Sequence, residues 1–199
     1  IAYRSNSAFT EMPALKFDEY LKDKGLDRIV GLRAKQGANR QQVVHEAYSR
    51  NSKALIRVGN ASDIVDRRMG LRLELIAVPD RSQAEGGELH SYQLLFEGRP
   101  LAGALVAATR PGTSDEDLKA RTDTEGRVSF RLTAPGMWRI AVVHMIRAPA
   151  DVAAEWESLW ASLTFEISSG SPEFVPDAGA GSEAACRNKI LPSATQARS

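Results

Sequence analysis

The chain has 199 residues, 43% of them hydrophobic, and a formal net charge of +1. This length and composition are sufficient for one complete domain and part of a second, and they exclude a globally disordered chain. The near-neutral charge argues against a nucleic-acid-binding protein, and the lack of a run of about 20 apolar residues predicts no membrane insertion of this chain. The single cysteine, Cys186, excludes an internal disulfide.

The N-terminal third is predicted to contain one strand and several helices. Residues 1–5 resemble the end of a strand, and helices are predicted over 15–24 and 26–35, each with one apolar stripe and a glycine after it. Asn39 followed by Gln42 resembles a capping box, which predicts a third helix through about residue 48.

The chain between residues 52 and 167 carries the alternation of polar and apolar residues that is typical of strands with one buried face. Glycine- and proline-containing turns separate these runs, as at 123–126, where a hairpin with Gly126 at positive φ is expected. A helical turn is also expected over 151–156. Strands are predicted over 52–58, 71–75, 88–96, 101–109, 127–132, 137–146 and 160–167.

This pattern predicts a mainly β protein with a small helical segment: an Ig-like or transthyretin-like antiparallel β-sandwich preceded by short helices. Residues 1–65 would be the end of a truncated first β domain plus a helical connector, and residues 66–168 the sandwich. Residues 169–199 are rich in Gly, Ser, Ala and Pro, which predicts a disordered tail.

Three histidines are the candidate metal ligands. None is spaced as in a zinc motif. His144 is predicted on the same face of its strand as the apolar residues. It is therefore either a hydrogen-bonded core histidine or a metal ligand at the rim of the sandwich. His90 begins a strand beside a glycine-rich loop and is the second candidate, whereas His45 is expected on a polar helix, in solvent.

Trp156 and Trp160 have two interpretations. Tryptophan faces suit sugar rings, so the pair is a candidate carbohydrate-binding platform, and the alternative is that both cover the core. Catalytic patterns are weak: no G-x-S-x-G motif occurs, and Cys186 has no histidine near it in the sequence. The sequence therefore predicts a protein that is not an enzyme.

Five segments occur in a fixed order along the chain: YSRNSKAL at 48–55, GRPLAGA at 98–104, TDTEGR at 122–127, VHM at 143–145 and WESLWASLTF at 156–165. Together they resemble a bacterial family, domain-of-unknown-function family 4198, whose members are often labelled as a periplasmic component of cobalt or nickel uptake. The middle segments are also similar to transthyretin-like and carboxypeptidase-regulatory modules.

This resemblance implies an exported, periplasmic binding protein that assists nickel or cobalt uptake, with a membrane metal transporter as partner and a Ni or Co ion as ligand. It also implies a signal peptide, a mature start rich in histidine and tryptophan, and a first β domain, all before Ile1. His144 is the residue carried over as a ligand, and Tyr48 and Lys53 match the family pattern as binding residues. The alternatives are a structural or carbohydrate-binding β-sandwich module and, less favoured for lack of a matching histidine set, a transthyretin-like hydrolase.

Overall fold

The computed structural model describes residues 1–37, 42–56, 66–78 and 89–167. Within these ranges the chain is mainly β, with two helices near its start. The elements are β1 (Ala2–Arg4), β2 (Ala8–Pro13), α1 (Ala14–Asp23), α2 (Asp27–Lys35), β3 (Val43–Ala54), β4 (Leu73–Val78), β5 (Leu89–Phe96), β6 (Arg99–Pro100), β7 (Leu105–Thr109), β8 (Leu118–Arg121), β9 (Arg127–Arg131), β10 (Gly136–Arg147) and β11 (Trp156–Ile167).

Among the described residues, the larger sheet has seven strands: six in the order β1-β3-β11-β10-β7-β8, and β2, which also pairs with β3. The β3–β11 pair is parallel, and every other pair in this sheet is antiparallel. Of its strands, β1 to β3 precede the predicted domain boundary at residue 65, and β7, β8, β10 and β11 follow it. The described residues on the two sides of that boundary therefore share one sheet.

The smaller sheet is antiparallel and lies over one face of the larger one. Its central strand β5 pairs with β4 on one side and with β6 and β9 on the other. Alternate residues of both sheets meet in a buried core, as the period-two pattern predicts. The predicted β-sandwich is therefore confirmed, and Trp138, Ile140 and Val142 contribute to its core from β10.

Helices α1 and α2 pack on the other face of the larger sheet, which we call the outer face. Phe17 and Leu21 of α1 and Ile29 of α2 are fully or almost fully buried there. They meet Trp156 and Met145 from β11 and β10. The helices cover only the end of the sheet where these residues lie, because both are short.

The predicted third helix through residue 48 is wrong. Residues 43–54 form strand β3, which pairs with β2, β1 and β11. Two-sided pairing supplies many long-range hydrogen bonds, and it overrides a local capping signal between Asn39 and Gln42. His45 consequently lies on a strand, where its Nε2 is 3.6 Å from a carboxylate oxygen of Glu11.

Two further expectations concern turns. The hairpin at 123–126 is present: Asp123 Oδ1 accepts hydrogen bonds from the backbone N–H groups of Glu125 and Arg127, both at 2.8 Å, and Gly126 has φ +71°. The predicted helical turn over 151–156 is wrong, because these residues form a turn and bends and β11 already begins at Trp156.

Several predicted features lie outside the described residues: Asn39 of the capping box, residues 57–65, the loop 79–88 before β5 with its two glycines, and the tail with Cys186. Neither helix in the described ranges has the length and apolar character needed to span a membrane.

Candidate ligand-binding cleft

The part of the outer face that the helices leave uncovered forms a cleft of about 330 Å³, which we call the sheet cleft. This volume is at the lower end of the range of small-molecule sites in proteins. Five strands and the end of α1 contribute to it. Its lining consists of Asp23, Lys24, Arg50, Ser52, Leu105, Ala107, Thr109, Asp117, Lys119, Arg139, Ala141, Val142, Val143, Trp160, Ala161 and Ser162.

Small side chains form the floor of the sheet cleft. Ser162 of β11 lies opposite Ser52 of β3 and Ala141 of β10, and Ala141 lies opposite Ala107 of β7. The two serine hydroxyls are hydrogen-bonded to each other at 3.1 Å. Paired residues of adjacent strands point to the same face, so these four short side chains leave a shallow trough across the sheet.

Trp160 forms the wall of the cleft next to α1, and its orientation is fixed from two sides. Its ring is nearly parallel to that of Tyr20, with the centroids 6.0 Å apart. Its indole N–H donates a hydrogen bond of 3.1 Å to Ser158 Oγ. Lys24 Nζ lies 5.8 Å from the Trp160 ring centroid, within the range of a cation–π contact. A half-buried aromatic ring held in this way is pre-organised for stacking on a ligand.

A buried carboxylate lies behind this wall. Glu46 is 3% exposed, and its Oε1 accepts hydrogen bonds from the hydroxyls of Tyr20 (3.3 Å) and Ser158. Burial raises the pKa of Glu46, although both hydrogen bonds act in the opposite direction. The pKa of Tyr20 is also raised, first by burial and then by the charge of Glu46. The network therefore links a buried acid to Trp160 through Ser158.

The predicted metal ligand His144 lies on the other face of the same sheet, towards the smaller sheet. Its ring centroid is 4.6 Å from that of Phe96, and it also lines a second cavity of about 420 Å³ next to α2. Burial lowers the pKa of His144 to about 4, helped by the positive charges of Arg28 and Arg72 and opposed by Glu97. The imidazole is therefore neutral at neutral pH.

His90 is also half-buried, with its ring 6.0 Å from Phe165, and burial lowers its pKa. In the ranges that the structure describes, no three His, Cys, Asp or Glu side chains come together in a way that could hold a metal ion. Nickel or cobalt binding by His144 and His90 stays a prediction.

The two candidate tryptophans have different environments. Trp156 is 1% exposed and is covered by Phe17 and by the guanidinium of Arg147, 4.0 Å from its ring centroid. A platform of two exposed tryptophans is therefore absent from the described surface, and that part of the prediction is wrong because α1 covers Trp156. Trp160 alone of this pair lines the sheet cleft.

Lys53 and Tyr48, which match the family pattern, are not in the cleft. Lys53 is buried, with Nζ 2.7 Å from Asp66 and 3.3 Å from Glu74, and both carboxylates are almost completely buried. Glu74 in turn accepts hydrogen bonds from the three backbone N–H groups of 69–71. This cluster fixes the backbone of the segment that leads into β4. Tyr48 is half-buried, and the Arg50 guanidinium lies 5.9 Å from its ring centroid.

Sequence reasoning missed Arg50, Arg139 and the serines of the floor. Arg139 and Ser162 belong to strands in which polar residues alternate with buried apolar ones, and Arg50 and Ser52 lie in the polar run 49–53 of β3. Each therefore resembles an ordinary solvent-facing residue in the sequence. The strand order brings them together: β11 lies between β3 and β10. One feature of the sequence could have indicated the cleft. Trp160 lies between Ser158 and Ser162 on the face of its strand that carries polar residues.

Residues 2–146 match the family described as Domain of unknown function (DUF4198). The chain belongs to this family. The match confirms the family inferred from the ordered segments. It covers four of the five segments, both helices, β1 to β9 and nearly all of β10, and the fifth segment at 156–165 lies beyond it. No curated protein and no solved structure matches the chain.

Proposed function

We propose that this protein of the DUF4198 family is a non-enzymatic binding protein and that the sheet cleft is its ligand site. One observation carries the proposal: the helices leave part of the outer face open, and Trp160 is fixed at the edge of that opening. The floor offers hydroxyls and small side chains, which favours a small polar molecule with one flat apolar face, such as a sugar.

Tryptophan fluorescence tests this proposal. Trp138 and Trp156 are buried and Trp160 is half-buried at the cleft, so ligand binding should change mainly the Trp160 emission. The probes are neutral and acidic mono- and disaccharides at millimolar concentration. We expect at least one to shift the emission of the wild type but not of Trp160→Phe. No shift with any of these probes would contradict the proposal.

Nickel or cobalt binding is a second candidate, favoured by one observation. His144 is neutral at neutral pH and lines a cavity, and neutral imidazole is a good ligand for both metals. Calorimetry with NiCl₂ and CoCl₂ should then show heat that decreases in His144→Ala and stays unchanged in the control His45→Ala. The absence of heat from the wild type with either metal would end this candidate for the chain.

Compartment and partner are part of the same proposal. On the label that members of the family carry, we propose a periplasmic location and contact with a membrane metal transporter. Fractionation of cells that express the complete gene tests the first, and co-purification with the transporter after crosslinking tests the second. Recovery in the cytoplasmic fraction would contradict the location.

A further inference from the structure

The rim of the sheet cleft carries more positive than negative charge. Four cationic side chains line it, and two carboxylates accompany them: Lys24, Arg50, Lys119 and Arg139 with Asp23 and Asp117. The whole chain is nearly neutral, with a formal net charge of +1. The four cations outnumber the two carboxylates, so the rim has a net positive charge, and a net positive cleft attracts anionic ligands.

Carboxylates already pair with the lysines of the rim, whereas no carboxylate of the described residues pairs with its arginines. Lys24 Nζ is 2.7 Å from Asp23, and Lys119 Nζ is 3.9 Å from the same carboxyl group. The hydrogen bond from Lys24 lowers the pKa of Asp23, so this carboxylate is charged and neutralised locally. Within the described residues, the guanidinium groups of Arg50 and Arg139 have no carboxylate within ion-pair distance, and both residues are exposed.

The strand register places the two arginines on opposite sides of the floor. Arg50 of β3 lies beside Trp160, and Arg139 of β10 lies beside Thr164. The two arginines are therefore four residues apart along the strand direction, roughly 13 Å, and two strand spacings apart across the sheet, about 10 Å. The serine floor lies between them. A ligand that engages the tryptophan and both guanidinium groups must extend across this floor.

We propose that the sheet cleft recognises acidic sugars, with uronic acid residues as the ligand class. The inference deepens the function proposed above and rests on it. The pyranose ring stacks on Trp160, the ring hydroxyls exchange hydrogen bonds with Ser52 and Ser162, and the carboxylates pair with Arg50 and Arg139. A guanidinium matches a carboxylate with two parallel hydrogen bonds, which an ammonium group cannot do.

Calorimetry on the purified chain tests this inference. The probes are digalacturonic acid and the neutral galactose disaccharide of the same linkage, with inorganic phosphate as an anion that lacks a ring. We expect the acidic disaccharide to bind and the neutral one to bind at least tenfold more weakly. The affinity for the acidic disaccharide should fall as NaCl is raised, because both arginines are exposed to solvent.

Matched variants assign the charge preference to the cleft. Arg50→Ala and Arg139→Ala should each weaken binding of the acidic disaccharide about tenfold, and the loss should be much smaller for the neutral one. Arg127→Ala is the control, because Arg127 is an exposed strand arginine of the smaller sheet. Thermal melting checks that each variant is folded.

The outcomes separate the two proposals. Equal affinity for the acidic and neutral disaccharides, with loss of binding in Trp160→Leu, overturns the charge preference and leaves the binding function standing. Phosphate that binds as tightly as the uronate also overturns the inference, because it shows a plain anion site. No binding of any sugar to the wild type overturns both.

Discussion

The partly buried imidazole of His144 makes the stability of the protein depend on pH. Its pKa is lowered to about 4 by burial and by the charges of Arg28 and Arg72, against an ordinary value of 6.5. A base with a depressed folded-state pKa favours the unfolded state in acid, because the unfolded chain then binds more protons. Stability from this group is complete above pH 6.5 and is lost as the pH falls towards 4.

The size of the effect follows from these two values. Between pH 7 and pH 5 the histidine of the unfolded chain becomes almost fully protonated, whereas the folded one stays neutral. The linkage relation then gives a loss of about 2 kcal/mol in the free energy of unfolding over this interval. The full shift, reached below pH 4, corresponds to about 3 kcal/mol.

Urea unfolding at pH 7 and pH 5 measures this loss for the wild type and for His144→Gln, which cannot titrate. We expect the difference in stability between the two proteins to change by about 2 kcal/mol between these pH values, in favour of the variant at pH 5. His45→Gln is the control, because His45 is exposed near the start of β3. A difference that stays constant between pH 7 and pH 5 would refute the reasoning about His144.

Three further substitutions test the packing. Lys53→Met leaves two buried carboxylates without a cation and should cost about 3–5 kcal/mol in urea unfolding, against less than about 0.5 kcal/mol for exposed Lys119→Met; equal losses would contradict the buried cluster. Burial raises the pKa of Glu46, so folding favours its protonated form and Glu46→Gln should gain stability relative to wild type as the pH rises above about 4.5; urea unfolding from pH 4 to 8 with no such trend would oppose this. Gly126→Ala places Cβ 2.6 Å from a backbone oxygen at φ +71° and should lower the melting temperature more than Gly112→Ala, which has open space; the reverse order would contradict the turn geometry.

The sandwich could be predicted from the sequence because alternation in strands such as 127–131 is a local property. The hairpin at Gly126 was equally readable, since glycine permits the positive φ that the turn requires. The third helix was wrongly predicted because pairing of β3 with distant strands outweighs a local cap between Asn39 and Gln42. That competition is decided by tertiary contacts, which one short window does not contain.

The sheet cleft was less predictable than the fold. Trp160 was a candidate from the sequence, but its partners Arg50 and Arg139 come from strands far apart in the chain. They become neighbours of β11 only through the parallel β3–β11 pair and the antiparallel β10–β11 pair. Trp156 and Trp160 point to the same face of one strand and look equivalent in the sequence. Helix α1 covers Trp156 but leaves Trp160 only half-buried, so their environments differ in the structure.

The most direct test of the account is a map of backbone amide chemical shifts during titration with digalacturonic acid. The account predicts that the largest shifts lie on the strand segments around Ser52, Ala141 and Ser162, together with the indole N–H of Trp160. Shifts confined to the other side of the sheet, around His144 and Phe96, would show that the ligand site is elsewhere and would contradict the account.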